Sequence, residues 1–354
     1  MKKISAILAM LLILIFTLTG CSDGNEDTKD TDVIEKKIQI GLSFDSFVIE
    51  RWQRDREVFV STAQDLGAEV NVQNANGDVE EQISQIDYFI DKKMDVIVVI
   101  AVDSEACSDV LKKAEEAGII VVAYDRLVRN ANADLYISFD NEEVGRLMAE
   151  TLTSEVPKDG NIVTIFGPTT DHNVTLVEQG FKDVMEDSDL NIVYTVYAKE
   201  WLAEEAFNAV NAALEITPEI DGVLCGNDNL ASQAVRALSE SRLAGKVVVT
   251  GQDADLVACQ RIVEGTQTMT VYKPVDKLAK AAAEYAVKLA KGEDIGVETT
   301  INDGNYEVPY VKLEPIAVTK DNIKEVIIEG GFQQEDEVYL NVSDKQEIND
   351  TEDD

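Results

Sequence analysis

Short apolar runs alternate with amphipathic stretches along the chain. Two of the runs, 96–100 and 119–123, are apolar throughout, which is typical of parallel strands covered on both faces. The pattern predicts strands at 38–42, 69–72, 96–100 and 119–123 and helices at 50–66, 79–92 and 104–117. Such alternation favours right-handed strand–helix–strand units that build a parallel sheet.

The same order restarts after a break at 157–160. The second series predicts strands at 161–166, 192–197, 222–225 and 247–250 and helices at 173–186, 203–214, 230–238 and 255–263. Because the series is interrupted once, it indicates an α/β fold with two doubly wound parallel-sheet lobes. A single TIM barrel is the alternative fold.

The N-terminal segment has the pattern of a secretory leader. Lys2 and Lys3 precede the apolar stretch 4–18, which is shorter than the roughly 20 apolar residues of a membrane-spanning helix. The following residues 18–21 (LTGC) resemble the lipobox of bacterial lipoproteins. That resemblance implies a signal peptide over 1–20 and a lipidated Cys21. The alternative is an ordinary secreted protein in which Cys21 is incidental.

Composition and charge narrow the class of protein. The 354 residues are 45% hydrophobic and 28% charged, so the chain is globular and long enough for about two domains. The net charge of -37 disfavours a nucleic-acid partner, because such a surface repels phosphates. His172 is the single histidine, which removes most histidine-based metal sites and general-base chemistry. We predict no metal and no cofactor.

The acidic ends and the cysteines carry simpler interpretations. The segment 21–36 is predicted to be an acidic tether, and 336–354 a solvated acidic tail.

Cys107, Cys225 and Cys259 are far apart and odd in number, so they form neither a disulfide framework nor a zinc motif. Cys225 lies in an aliphatic run and is predicted to be a buried thiol.

Polar side chains follow the predicted strands, where ligands of open α/β sheets bind. The strand ends carry Asp45, Asp125, Arg126, Asp140, Asn141, Asp171, His172, Asn173, Asn227, Asp228, Gln252, Asp253 and Lys273. Carboxylates, amides and cations together suit several neighbouring hydroxyls. No glycine-rich phosphate-binding motif accompanies them. Trp52 and Trp201 could stack on the faces of a pyranose, so the set predicts a sugar or another neutral polyol.

Each of these residues also has a purely structural interpretation. Asp125 and Arg126 could form an ion pair where the chain passes between lobes. Asn227 and Asp253 could cap the helices that follow them. Trp52 could belong to the core, and His172 is expected at the rim of the cleft rather than in proton transfer.

Five stretches resemble bacterial D-xylose-binding proteins, the sugar receptors of ABC transporters with the type I periplasmic-binding-protein fold. These stretches are 50–53 (ERWQ), 124–126 (YDR), 136–142 (YISFDNE), 251–256 (GQDADL) and 265–274 (GTQTMTVYKP). The similarity extends from about 37 to 332. The resemblance departs from the family around Trp201 and at His172, where an asparagine is expected.

The resemblance implies a set of ligand-binding residues and no catalytic ones. It places Arg51, Trp52, Asp125 and Arg126 on the N-terminal lobe and Asn173, Trp201, Asn227, Asp253 and Lys273 on the C-terminal lobe and hinge. It also implies that the chain crosses between the lobes three times, at 140–142, 272–274 and 308–310. The N-terminal lobe would then comprise 37–141 with 275–307, and the C-terminal lobe 142–274 with 308–335.

The expected function is capture of D-xylose, or a close monosaccharide, by hinge closure. The receptor would be extracytoplasmic, would touch the membrane only through its lipid anchor, and would deliver the sugar to an ABC permease. Two alternatives remain open from the sequence. The closed form could be presented to a sensor kinase ectodomain, or two strand-end carboxylates could make the protein a glycosidase.

Overall fold

The computed structural model describes residues 37–342. The predictions for 1–36, including the signal peptide, Cys21 and the tether, and those for 343–354 lie outside the described residues. Within 37–342, no helix combines the length and the apolar character needed to cross a bilayer.

The described chain alternates strands and helices as predicted. The strands are β1 Gln39–Phe44, β2 Glu69–Asn74, β3 Val96–Val99, β4 Ile120–Tyr124, β5 Leu135–Phe139, β6 Asn161–Phe166, β7 Asn191–Tyr197, β8 Gly222–Cys225, β9 Val248–Gln252, β10 Met269–Tyr272, β11 Thr300–Asn302, β12 Glu307–Leu313 and β13 Ile316–Thr319. The α-helices are α1 Arg51–Asp65, α2 Val79–Asp91, α3 Ser108–Glu116, α4 Asn141–Glu155, α5 His172–Met185, α6 Glu204–Ile216, α7 Asp228–Glu240, α8 Leu256–Glu264, α9 Val275–Ala290 and α10 Glu335–Val338. A 3₁₀ turn at Lys199–Trp201 and a π-helical segment at Lys324–Glu329 complete the regular structure.

The strands form two separate open sheets, so the two-lobed α/β prediction is confirmed and the TIM-barrel alternative is wrong. The first sheet has the order β11-β12-β5-β4-β3-β1-β2, and the second β13-β10-β9-β8-β6-β7. All pairings are parallel except those of β11 with β12 and of β13 with β10. A barrel would close on itself, whereas each of these sheets has two edges.

Two helices that the sequence pattern did not identify follow the first two crossings between lobes. Helix α4 leaves β5 of the first sheet and packs against α5, β9 and β10 of the second lobe. Helix α9 leaves β10 of the second sheet and packs against α1 and β4 of the first lobe. Each lobe is therefore covered in part by a helix that follows directly on a strand of the other lobe.

The predicted third crossing at 308–310 is wrong. Those residues lie in β12, which pairs in parallel with β5 through Tyr310 and Tyr136, so they belong to the first lobe. The chain crosses after Leu313, before β13 begins. Pro309 itself pairs with Thr300 on the short edge strand β11, a position beside a sheet edge where proline is tolerated.

The predicted start of a solvated tail at 336 is also wrong. Helix α10 buries Val338 completely against the second lobe. The Glu337 carbonyl accepts a hydrogen bond from Gln260 Nε2 at 2.9 Å, and Asn341 Nδ2 donates to Glu264 Oε1 at 2.7 Å. Hydrophobic burial at one position therefore outweighs the acidic composition, and 336–342 are part of the lobe.

The cysteine prediction is confirmed. Cys107, Cys225 and Cys259 are free and buried. Desolvation is the main cause that raises the pKa of the Cys107 thiol to about 12. These side chains therefore act as small apolar core residues.

Candidate functional site

A cavity lies between the two lobes at the carboxyl ends of both sheets. The space between protein atoms there is about 470 Å³, including the part that is open to solvent. All nine predicted ligand-binding residues line it: Arg51, Trp52, Asp125, Arg126, Asn173, Trp201, Asn227, Asp253 and Lys273. We call this space the inner cavity. The structure thus brings the entire predicted set together, although they are spread over more than two hundred positions of the chain.

Arg51 organises the charged side of the inner cavity. It is the first residue of α1, and its Nη2 lies 2.8 Å from Asp125 Oδ2 and 3.1 Å from Asp55 Oδ1. Its Nη1 lies 3.9 Å from Asp253 Oδ1 of the other lobe. Lys273 Nζ is 2.8 Å from the same Asp253 oxygen. Cations and carboxylates alternate here, so the wall offers both donors and acceptors without a large excess of either charge.

Arg126 connects the lobes. Its Nη1 lies 2.9 Å from Asp45 Oδ2 and donates to the Ala101 carbonyl at 2.9 Å, while its Nε lies 2.9 Å from Asp171 Oδ2 of the second lobe. Its Nη2 is buried and has no hydrogen-bond partner within the described chain. The suggested ion pair between Asp125 and Arg126 is therefore wrong, because each is paired with other residues.

Asn173 and Asn227 reach the cavity from helix starts in the second lobe. Asn173 Nδ2 donates to the Asp125 carbonyl across the cleft at 3.0 Å, and its Oδ1 accepts from Tyr136 Oη at 3.2 Å. Asn227 caps α7 by accepting from the Leu230 amide at 2.9 Å. The capping interpretation of Asn227 is thus correct, and the same residue still lines the cavity.

The two tryptophans that line the cavity are both buried. Trp52 is 1% exposed and Trp201 8%, and both contact the hydrophobic core, so the core interpretation of Trp52 is also correct. The Arg51 guanidinium lies 4.4 Å from the centre of the Trp52 ring. Both indole Nε1 atoms lack hydrogen-bond partners among the residues described. Buried indole donors ordinarily have a hydrogen-bond partner, so these two are exceptions.

Three of the cavity residues have left-handed backbone conformations that side chains rarely adopt. The φ angles are +61° at Asp125, +58° at Trp201 and +101° at Asp253. Each such residue costs on the order of 1–3 kcal/mol, and such strain clusters at functional sites. The strained residues lie after the ends of β4, β7 and β9, where the chain must turn their side chains into the cleft.

Burial and charge act in opposite directions on the carboxyl groups. Burial disfavours the ionised form of Asp125, but Arg51, Lys273 and Arg126 outweigh it and hold the pKa of Asp125 below its ordinary value. Burial dominates at Asp45 and raises its pKa despite the neighbouring Arg126. Asp125 therefore remains an acceptor throughout the neutral and mildly acidic range.

Several residues of the inner cavity lie outside the nine predicted to bind the ligand. They include Asn141, Phe166, Gly167, Asp171, Gly226 and Gln252. Asn141, Asp171 and Gln252 were noted as strand-end residues but were not included in the predicted set, and no sequence signal pointed to the other three. Gln252 Nε2 donates to the Gly226 carbonyl, whereas its Oε1 is buried without a hydrogen-bond partner in the described part of the chain.

His172 lies outside this cavity. It is half-buried at the rim and lines a separate surface pocket with Arg129, as the rim interpretation expected. Residues 37–342 contain no group of three or more His, Cys, Asp or Glu side chains arranged to hold a metal ion.

The fold and the site together define a two-lobed receptor that encloses a small polar ligand. The chain belongs to the periplasmic binding protein family, since residues 40–294 match the model described as "Periplasmic binding protein domain". The sequence-based resemblance to this family is confirmed.

Relatives of known role share most of the chain. A D-xylose-binding periplasmic protein of Haemophilus influenzae is 45% identical over 86% of this chain and 93% of its own. Its counterpart in Escherichia coli is 44% identical over the same shares. Among solved structures, a solute-binding protein of Clostridium phytofermentans with bound β-D-glucose has a TM-score of 0.78 and 28% identity. It aligns with 85% of this chain and 99% of its own.

Proposed function

We propose that this protein is an extracytoplasmic receptor that captures D-xylose, or a close monosaccharide, and delivers it to an ABC transporter. The observation that carries the proposal is the enclosed polar cavity in which Arg126 Nη2 and Gln252 Oε1 are buried without partners. Unpaired buried polar atoms are costly, and ligand hydroxyls would pair them. The D-xylose-binding relatives supply the choice of sugar.

Specificity would come from pairing every hydroxyl of the sugar. Arg51 and Asp125 present donors and acceptors from the first lobe, and the second lobe and hinge contribute Asn173, Asn227, Asp253 and Lys273. A sugar that lacks a hydroxyl, or has it in another orientation, leaves a buried group unpaired. The two indole rings would cover apolar C–H faces of the pyranose.

Capture would be coupled to hinge closure. The bonds from Arg126 to Asp171 and from Asn173 to the Asp125 carbonyl join opposite lobes, and both lie beside the inner cavity. A ligand held between the same residues adds contacts that only the closed form makes. It therefore shifts the population toward that form, which the permease would recognise.

The other functional alternatives have less support. The named relatives and solved structures are binding proteins of sugar transport, which does not favour the sensor kinase alternative. For the glycosidase alternative, the cavity carboxylates Asp125 and Asp253 are both held in ion pairs with cations. A general acid needs a raised pKa, and that of Asp125 is lowered instead.

Calorimetry with a panel of pentoses and hexoses tests the proposal. We expect saturable one-to-one binding of D-xylose, and no binding of a sugar acid or a nucleotide. Failure of every monosaccharide to bind the folded protein would overturn the proposal. Release of a product from an aryl xyloside, in proportion to protein, would restore the enzyme alternative.

The lipid anchor at Cys21 is a separate proposal, supported by the leader pattern of residues 1–21. Full-length protein made in a bacterium should sediment with membranes, and Cys21→Ala should release it or leave the leader uncleaved. A Cys107→Ala variant controls for the loss of a thiol. Unchanged membrane association of Cys21→Ala would contradict the anchor.

A further inference from the structure

A second, larger cavity adjoins the inner one. It encloses about 1090 Å³, open to solvent, and we call it the outer cavity. Arg126 and Trp201 line both cavities, so they form the boundary between them. The contacts proposed for the monosaccharide involve none of the other residues that line the outer cavity.

The outer cavity contains a buried carboxylate oxygen that the inner site does not use. Asp45 is 6% exposed; its Oδ2 pairs with Arg126, while its Oδ1 has no hydrogen-bond partner in residues 37–342. Asp45 lines the outer cavity and not the inner one. A buried, unpaired acceptor fits a ligand that donates a hydrogen bond there, as a hydroxyl does.

Exposed apolar side chains from both lobes line the same cavity. Val48 of the first lobe is 53% exposed, and Leu202 and Tyr197 of the second lobe are 41% and 38% exposed. Exposed apolar surface beside hydrogen-bonding groups suits the alternating C–H faces and hydroxyls of a sugar ring. The wall around Leu202 is also strained, since Glu200 and Trp201 have φ angles of +51° and +58°.

We propose that the outer cavity is a subsite for a second sugar unit, glycosidically linked to the one in the inner cavity. The inference rests on the proposed function, because it requires a pyranose in the inner cavity. The linkage would pass between Arg126 and Trp201, and a hydroxyl of the second unit would donate to Asp45 Oδ1. The ligand class thereby extends from monosaccharides to short pentose oligosaccharides.

Calorimetry of the full mature chain with D-xylose and with xylobiose tests this subsite. We expect xylobiose to bind with one-to-one stoichiometry and to compete with D-xylose. Binding of D-xylose without detectable binding of xylobiose at concentrations up to about 1 mM would overturn the subsite and leave the proposed function intact. Binding of neither sugar would overturn the proposed function and the subsite with it.

A matched pair of variants locates the second unit. Leu202→Ala removes apolar surface from the outer cavity and should weaken xylobiose binding roughly fivefold, with D-xylose binding changed less than about twofold. Leu66→Ala is the control, because Leu66 is 40% exposed and lines neither cavity. Equal xylobiose affinities for the two variants, or equal losses for both sugars in Leu202→Ala, would contradict the assignment.

Discussion

At the scale of single residues, Arg126 shows why the cavity needs a guanidinium. One planar group pairs with Asp45, with Asp171 and with the Ala101 carbonyl, and still leaves Nη2 unpaired beside the cavity. Lysine carries the charge on one nitrogen and cannot reach these partners in fixed directions. The planar shape of the guanidinium, rather than its charge alone, therefore explains why position 126 carries arginine and not lysine.

Arg126→Lys should weaken D-xylose binding by about 1.5–3 kcal/mol, or roughly 10–150-fold, because charge-assisted bonds are lost. Arg146→Lys is the matched control, since Arg146 pairs with Glu143 on the surface. Calorimetry of the two variants measures the difference. Normal affinity in Arg126→Lys would mean that Arg126 only holds the lobes together.

Gly167 makes room for the Trp201 ring. A Cβ at this position would lie 2.3 Å from Trp201 Cη2, so Gly167→Ala must displace the indole. We expect a changed tryptophan fluorescence spectrum and a loss of roughly 1–3 kcal/mol in D-xylose binding. In a Trp201→Ala background the same change should cost little more, and additive losses in this double-mutant cycle would contradict the steric explanation.

The sequence predicted most of the polar residues of the cavity. It missed residues whose role depends on contacts with residues far away in the sequence. Arg51 and Lys273 could be found because strand ends and a family resemblance point to them. The role of Gly167 depends on a ring 34 positions later, and the pairing of Asp171 with Arg126 depends on the closed arrangement of lobes. No local pattern contains that information.

At the scale of elements, the sequence pattern correctly predicted the strands whose burial is directly visible in their run of apolar residues. The strands β3 and β4 are buried on both faces and were predicted within one residue at either end. Helices α4 and α9 were missed. Strand β12 was placed in the wrong lobe, and helix α10 was placed in the acidic tail. The lobe of β12 depends on which sheet the chain joins, and periodicity does not specify a partner strand.

Helix α10 offers a test at this scale. Val338 is fully buried, whereas Leu340, two residues later, is 71% exposed. Val338→Asp places a charge in an apolar contact and should lower the free energy of unfolding by about 3 kcal/mol or more. Leu340→Asp should change it by less than about 0.5 kcal/mol. Denaturant unfolding followed by circular dichroism distinguishes them, and equal stabilities would show that α10 is not docked in solution.

At the scale of the whole molecule, the proposed function depends on a balance between open and closed lobes. Besides the bond from Asn173 to the Asp125 carbonyl, contacts that join the lobes at the rim and cleft include Arg126 with Asp171, the Ser104 amide with the Thr170 carbonyl at 3.0 Å, and Asn229 Nδ2 with the Val48 carbonyl at 3.2 Å. Of these, the ion pair is buried, with side chains 5% and 3% exposed. Removal of one partner of a buried ion pair is costly, so this contact should contribute most to closure.

Asp171→Asn separates the closing role of this residue from its structural one. Asp171 also caps α5 by accepting from the Asn173 amide at 3.0 Å, and asparagine is an equally good cap, so α5 should remain intact. We expect D-xylose affinity to fall roughly tenfold, mainly through faster dissociation, and small-angle scattering of the ligand-free protein to show a larger radius of gyration. Asp78→Asn, which alters the equivalent cap of α2, should change neither quantity. If Asp171→Asn kept the affinity and the radius of gyration of the unmodified protein, closure would depend on the sugar alone, and the Arg126–Asp171 pair would only orient the guanidinium.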